Sequence, residues 1–158
     1  MPATVSGRLA ELGITLPPVA APVAAYVPAL RSGELVFTSG QLPFADGVLP
    51  ATGSVGDGAP VSPEDAKAHA RTATLNALAA IDALVGIDTV IQVVKVVGFV
   101  ASAPGFGGQP GVINGASELL GEIFGDAGAH ARSAVGVAEL PLGSPVEVEL
   151  IVRVSDRP

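Results

Sequence analysis

One run limits how this chain can fold more than any other: Val90–Val100, VIQVVKVVGFV, is β-branched and apolar on both faces. A half-buried strand alternates; this one wants cover on two sides and reads as the centre of a sheet. A second feature supplies one of the covers. Ser62-Pro63-Glu64-Asp65 is a strong helix start, with an N-cap serine, a proline at the first helical position and acids in the first turn. The helix is expected to run to about Val85, with Ala66, Ala70, Ala73, Ala77, Leu78, Ile81 and Leu84 as its apolar stripe. Alanines there allow a close approach to a sheet.

The other elements arrange themselves around these two. A loop rich in Gly and Pro leads to a second helix, about Gln109–Phe124, and two strands follow, His130–Leu140 and Val146–Val154. Near the start, Ser6 is expected to cap a short amphipathic turn with Leu9, Leu12 and Ile14 on its apolar side and Gly13 at its end. Pro17, Pro18 and Pro22 then impose an extended path. Tyr26–Leu30 and Glu34–Thr38 form a hairpin around Arg31-Ser32-Gly33, and Ser39-Gly40-Gln41 falls at its strand end. Residues 43–61 carry turn residues throughout and read as a loop, a candidate lid. The order, with two helices that can cover one sheet face, gives an α+β sandwich in a single domain over residues 1–158.

Composition narrows the function. Only 15% of the 158 residues are charged, well below the roughly 25% of an average soluble domain, so copies of the chain are expected to cover part of its surface. A net charge of -7 argues against a nucleic-acid partner, which needs cations for phosphates. Zero cysteines exclude disulfides, thiolate nucleophiles and cysteine zinc sites. The apolar stretches Val19–Leu30 and Val93–Ala101 fall short of the ~20 residues of a membrane span, and no basic segment leads into an apolar run at the N-terminus. A cytoplasmic protein without a membrane partner is the expectation.

Several sharp readings of single motifs fail. His69 and His130 stand in different elements without ligand spacing, so no metal site is expected. Gly105-Phe106-Gly107-Gly108 lacks the dinucleotide fingerprint, and Gly53–Gly58 has no following Lys-Ser/Thr for a phosphate loop. Lys95 reads as a strand lysine that snorkels to an edge or pairs with an acid rather than as a Schiff-base lysine. The C-terminal third says more. Glu147 and Glu149 project from one face of the last strand, with Val146, Val148 and Leu150 on the other. They are either a solvated sheet face or, with Arg132, a polar pocket in which arginine grips an anion and a glutamate handles protons. If the last two strands form a hairpin turning near Leu142-Gly143, Arg132 faces Arg153 and Glu147 faces Ala138. Arg132 and Glu147 then lie on the order of 20 Å apart, and one small ligand touches both only across a subunit boundary.

The segment Ala131-Arg132-Ser133-Ala134-Val135, Glu139-Leu140-Pro141 and Val146-Glu147-Val148-Glu149 resembles the signature of the RidA (YjgF-type, reactive intermediate deaminase) family. Tyr26-Val27, Phe37-Thr38-Ser39-Gly40-Gln41-Leu42-Pro43 and Val112-Ile113-Asn114 are similar to its N-terminal strands and second helix, in the same order. The agreement covers about residues 18–154. Short-form members lack the N-terminal extension, residues 1–17, and have a shorter segment before the first long helix. This chain therefore resembles a longer branch, marked by Val94–Val100 and Gly115–Leu120.

The resemblance implies a chorismate-mutase-like homotrimer: a mostly antiparallel sheet, two helices on one face, and a ligand cleft at each subunit interface. It implies hydrolysis of reactive 2-imino acids, the enamine/imine intermediates, to 2-oxo acids and ammonia, with no cofactor. Arg132 would bind the substrate carboxylate and Glu147 would position or activate water. Tyr26, Ser39, Gly40 and Asn114 would line the pocket, as would Ala134, where several short-form members carry cysteine. Two other readings stay open. One is a non-catalytic trimer that binds small carboxylates or partner proteins through the same clefts. The other, an endoribonuclease, is weaker for so acidic a chain with six aromatics and no histidine pair.

Overall fold

The computed structural model describes residues 3–19, 21 and 25–157. Its eight main elements are α1 (Val5–Glu11), β1 (Ala29–Ser32), β2 (Leu35–Thr38), α2 (Pro63–Val85), β3 (Val90–Ala101), α3 (Gln109–Phe124), β4 (Ala131–Val137) and β5 (Val146–Val154). The five strands make one sheet in the order β1-β2-β5-β3-β4. Every pairing is antiparallel except β3 with β4. The fold is a mixed α+β sandwich with α2 and α3 on one sheet face.

The doubly apolar run does lie inside the sheet, with β5 on one side and β4 on the other. Val93, Val96 and Val100 are fully buried under the helices, while Val97 and Phe99 look to the other face and are only partly covered. In β5, Val146, Val148, Leu150, Val152 and Val154 are buried, and the alternate residues are not. That alternation marks one covered face and one open face. α2 starts as its sequence dictates: Ser62 Oγ accepts from Asp65 N at 3.1 Å, with Pro63 in the first turn. Ala66, Ala70, Ala73 and Ala77 have no exposed surface. α3 comes close to α2 because residue 115 is glycine; a Cβ there would collide with the Lys67 carbonyl. Among the described residues no helix is long and apolar enough to cross a membrane.

The structure corrects five expectations. β4 and β5 do not pair; β3 lies between them and gives one backbone edge to each, parallel to β4 and antiparallel to β5. The first hairpin turns at Gly33-Glu34, so Tyr26 precedes the strand and β1 begins at Ala29. Thr4, not Ser6, caps α1, accepting from Gly7 N at 3.0 Å. Ser6 instead donates its N–H and hydroxyl to the Asp88 carboxylate, each at 2.7 Å. β4 ends at Val137 rather than Leu140. Leu84 is exposed at the end of α2, where Ile87 in the next turn takes the buried place. Residues 43–61 form a loop, but a packed one: Val55 and Val61 are buried in the core. Pro22 lies outside the described residues.

Candidate functional site

A β-bulge builds one half of the site. Phe37 faces Ile151 across β2 and β5, yet the next bridge joins Gln41 to Val148, so the first strand has gained one residue over the second. Thr38 fills the gap in the ladder, its Oγ1 accepting from Leu150 N at 2.9 Å. Ser39 and Gly40 are thereby taken out of the ladder and line a cavity of about 480 Å³ together with Tyr26 and Glu147. Leu42 and Phe44 from the following loop, with Pro141 and Leu142 from the connection before β5, make its apolar wall.

Its walls are tied down. Ser39 donates its hydroxyl to Val27 O at 2.6 Å and its N–H to Pro28 O at 2.9 Å, which holds the segment carrying Tyr26 against the bulge. Asn76 Nδ2 of α2 donates to the carbonyls of Leu42 and Phe44, both at 3.0 Å. Glu147 is partly buried, and burial first, then the charge of Glu149, pushes its carboxyl above the ordinary value of 4.5. Gly40 leaves the room that this side chain occupies.

The other half sits at the far edge of the sheet. Arg132 on β4 pairs in register with Val96, whose side chain is buried on the helix face. Its guanidinium therefore reaches α3: Nη1 donates to Asn114 Oδ1 at 2.8 Å and to Ser117 Oγ at 3.1 Å, and Nη2 to Pro110 O at 3.4 Å. Ser117 Oγ is also 2.8 Å from His130 Nε2, and His130 Nδ1 is 2.6 Å from Gly128 O. The ion pairs among the described residues are Arg8–Glu11, Arg31–Asp156, Lys67–Glu118 and Arg71–Glu122. Arg132 belongs to none of them. Ala134 shares its face two residues on and packs against the core.

The expected residues thus fall into two groups. Tyr26, Ser39, Gly40 and Glu147 share the cavity, while Asn114 and Arg132 are bonded to each other, with Ala134 beside them. Within one chain the groups do not meet. Glu147 faces Phe99 of β3 on the open face, whereas Arg132 is level with Val96 on the covered one. The offset is about 10 Å along the strands and about 10 Å across two strand spacings.

The family described as "YjgF/chorismate mutase-like, putative endoribonuclease" matches residues 6–154. The chain belongs to the YjgF/RidA family. It is 42% identical to Protein TCP17 of Trypanosoma cruzi over 96% of this chain and 95% of that one. A protein of unknown function from Agrobacterium tumefaciens is also 42% identical, with a TM-score of 0.86 over 96% of this chain and 92% of that one. E. coli TdcF, solved with bound serine, is 27% identical, with a TM-score of 0.62 over 89% of this chain and 94% of that one. The two relatives at 42% reach further along the chain than TdcF does, as a longer branch of the family would.

Sequence reasoning missed Ser117 and took His130 for an ordinary strand-start histidine. Ser117 had a signal: it lies three residues after Asn114, hence on the same face of α3. His130 had none, because its bond to Ser117 depends on how the turn after α3 brings residue 130 back to the helix. Leu42, Phe44 and Leu142 were likewise invisible as cavity wall, being apolar residues in loops.

Proposed function

We propose that this protein is a cofactor-free hydrolytic deaminase of reactive 2-imino acids, acting in clefts between the subunits of a homotrimer. The observation that carries the reading is the split just described: a fixed arginine with no acid partner among the described residues, and a partly buried glutamate on the opposite sheet face. Each is half of a site for a small anion with an electrophilic carbon. A second copy brings the halves together. The open sheet face supports this assembly, because Leu30, Phe37 and Val135 on it are 58%, 37% and 43% exposed. TdcF with its bound serine is a relative that holds a small amino acid, a ligand carrying a carboxylate next to nitrogen-bearing carbon.

The chemistry follows from the groups. Arg132's planar fork pairs with the carboxylate and fixes the plane of the adjacent C=N bond. Water adds to the imine carbon while Glu147 takes its proton, giving a carbinolamine. The same carboxyl returns the proton to nitrogen. The carboxylate next takes the hydroxyl proton and passes it to the amino nitrogen, so that C=O forms as the C–N bond breaks, releasing ammonia and the 2-oxo acid. A carboxyl whose proton affinity is raised by burial suits a group that both accepts and donates. Holding water against the carbon is the rest of the task. The family is also described as a putative endoribonuclease; a net charge of -7 does not favour a polyphosphate substrate.

The test is ammonia release from freshly generated 2-iminopropanoate or 2-iminobutanoate. Acceleration by the wild type is expected. Glu147→Ala removes it while 2-oxobutanoate still binds, and Arg132→Ala removes both. No acceleration by purified protein, with 2-oxobutanoate still bound, favours the non-catalytic carboxylate-binding module instead.

A further inference from the structure

Arg132 is gripped from one side only. Nη1 has two N–H bonds, and Asn114 Oδ1 and Ser117 Oγ take them, at 2.8 and 3.1 Å. Nη2 reaches Pro110 O at 3.4 Å, and Nε has no acceptor among the described residues. Nη1 is the guanidinium nitrogen on the Cδ side. The edge left open is therefore the one formed by Nε and Nη2, and its two parallel N–H bonds match the two oxygens of a carboxylate.

The direction of the remaining bonds explains why Ser117 offers Arg132 a lone pair. Gly128 O can only accept, so His130 Nδ1 carries the proton in the 2.6 Å bond between them. In a neutral ring Nε2 then accepts, and its donor is Ser117 Oγ at 2.8 Å. With its hydrogen engaged by His130, the serine oxygen presents lone pairs to Nη1. One chain of donation runs from Arg132 to Ser117 to His130 to Gly128. Without His130 the hydroxyl of a mid-helix serine turns to a carbonyl of its own helix, and its hold on Arg132 loosens.

We infer that Ser117 and His130 are positioning residues that present the Nε–Nη2 edge of Arg132 to the substrate carboxylate. This rests on the reading of Arg132 as the carboxylate-binding group, and two readouts test it. The first needs no ligand: ¹⁵N shifts of the His130 ring are expected to report a protonated Nδ1 and a bare Nε2, and the opposite tautomer overturns the inference.

The second is 2-oxobutanoate binding by calorimetry beside steady-state kinetics on 2-iminobutanoate. Ser117→Ala and His130→Leu are expected to weaken binding about 5- to 30-fold, the loss of one oriented charge-assisted hydrogen bond. KM rises with it and kcat changes less. His130→Gln, whose amide oxygen can still accept from Ser117, recovers most of the affinity. A wild type that binds while Arg132→Ala does not and Ser117→Ala is unaffected overturns the positioning role alone. A wild type that binds no 2-oxobutanoate, or an Arg132→Ala variant that binds it equally well, overturns the carboxylate reading and the inference with it. Should His130→Leu fail to fold, Ser117→Ala and the ring tautomer decide.

Discussion

Gly40 backs directly onto Glu147: a Cβ at position 40 would collide with Oε1 and lie 2.7 Å from Cδ of that side chain. The obstacle is the far end of a flexible group, so Gly40→Ala is expected to fold with little change in melting temperature. The carboxylate, however, must swing out of its place in the cavity. Imine hydrolysis then falls about 100-fold or more, the usual scale for losing a positioned proton-transfer group. Melting curves beside ammonia-release rates check this. A large loss of stability with an unchanged specific rate would contradict it.

Glu147 makes a pH prediction of definite sign. Its carboxyl is raised above 4.5 by burial and then by Glu149, so the folded protein binds this proton more tightly than the unfolded chain. The group therefore favours folding below 4.5, and that contribution is lost as pH rises through the higher folded value. Glu147→Gln, which is never charged, is expected to melt higher than wild type at neutral pH. The difference should vanish below about pH 4, where both side chains are neutral. A Glu147→Gln protein that melts lower at pH 7 would show that the carboxylate is stabilised rather than strained in the fold.

Arg132→Lys separates charge from shape. Lysine keeps the positive charge but cannot offer two parallel N–H bonds while also reaching Asn114 and Ser117. Affinity for 2-oxobutanoate is expected to fall about 10-fold or more, the scale of a lost bidentate pair. Calorimetry reads it. Affinity within about twofold of wild type would mean that a point charge suffices.

The close approach of α2 and α3 hangs on Gly115. A methyl group there meets the Lys67 carbonyl, a backbone atom that cannot step aside. Gly115→Ala should cost about 1–3 kcal/mol in chemical denaturation, despite alanine's better helix propensity. A neutral or stabilising result would mean that the helices can separate without loss.

Much of this architecture was legible in the residues. The limits of α3 and β5 and the cap of α2 came from local chemistry alone: proline and serine at starts, glycine at ends, strict alternation in Val146–Val154. Local pattern failed wherever a distant partner decides. Ser6 reads as the cap of α1, and Asp88, far along the chain, overturns that by taking both donors of Ser6, while Thr4 caps the helix. The larger error was pairing the last two strands with each other. That register sets Arg132 opposite Arg153, on the face of Glu147. The observed pairing with β3 sets it level with Val96 and turns it to the other side. One intervening strand reverses which residues share a face, and nothing within residues 131–154 reports it.

The most direct test of a site shared between subunits is complementation. Arg132→Ala and Glu147→Ala proteins are each expected to be inactive alone. Unfolded together and refolded as mixed trimers, they should regain about a quarter of wild-type activity, since random assortment sets an intact Arg132 against an intact Glu147 in that share of clefts. Mixed oligomers of confirmed composition that stay as inactive as their parents would contradict the account, because the two residues would then have to serve one ligand from within a single chain or not at all.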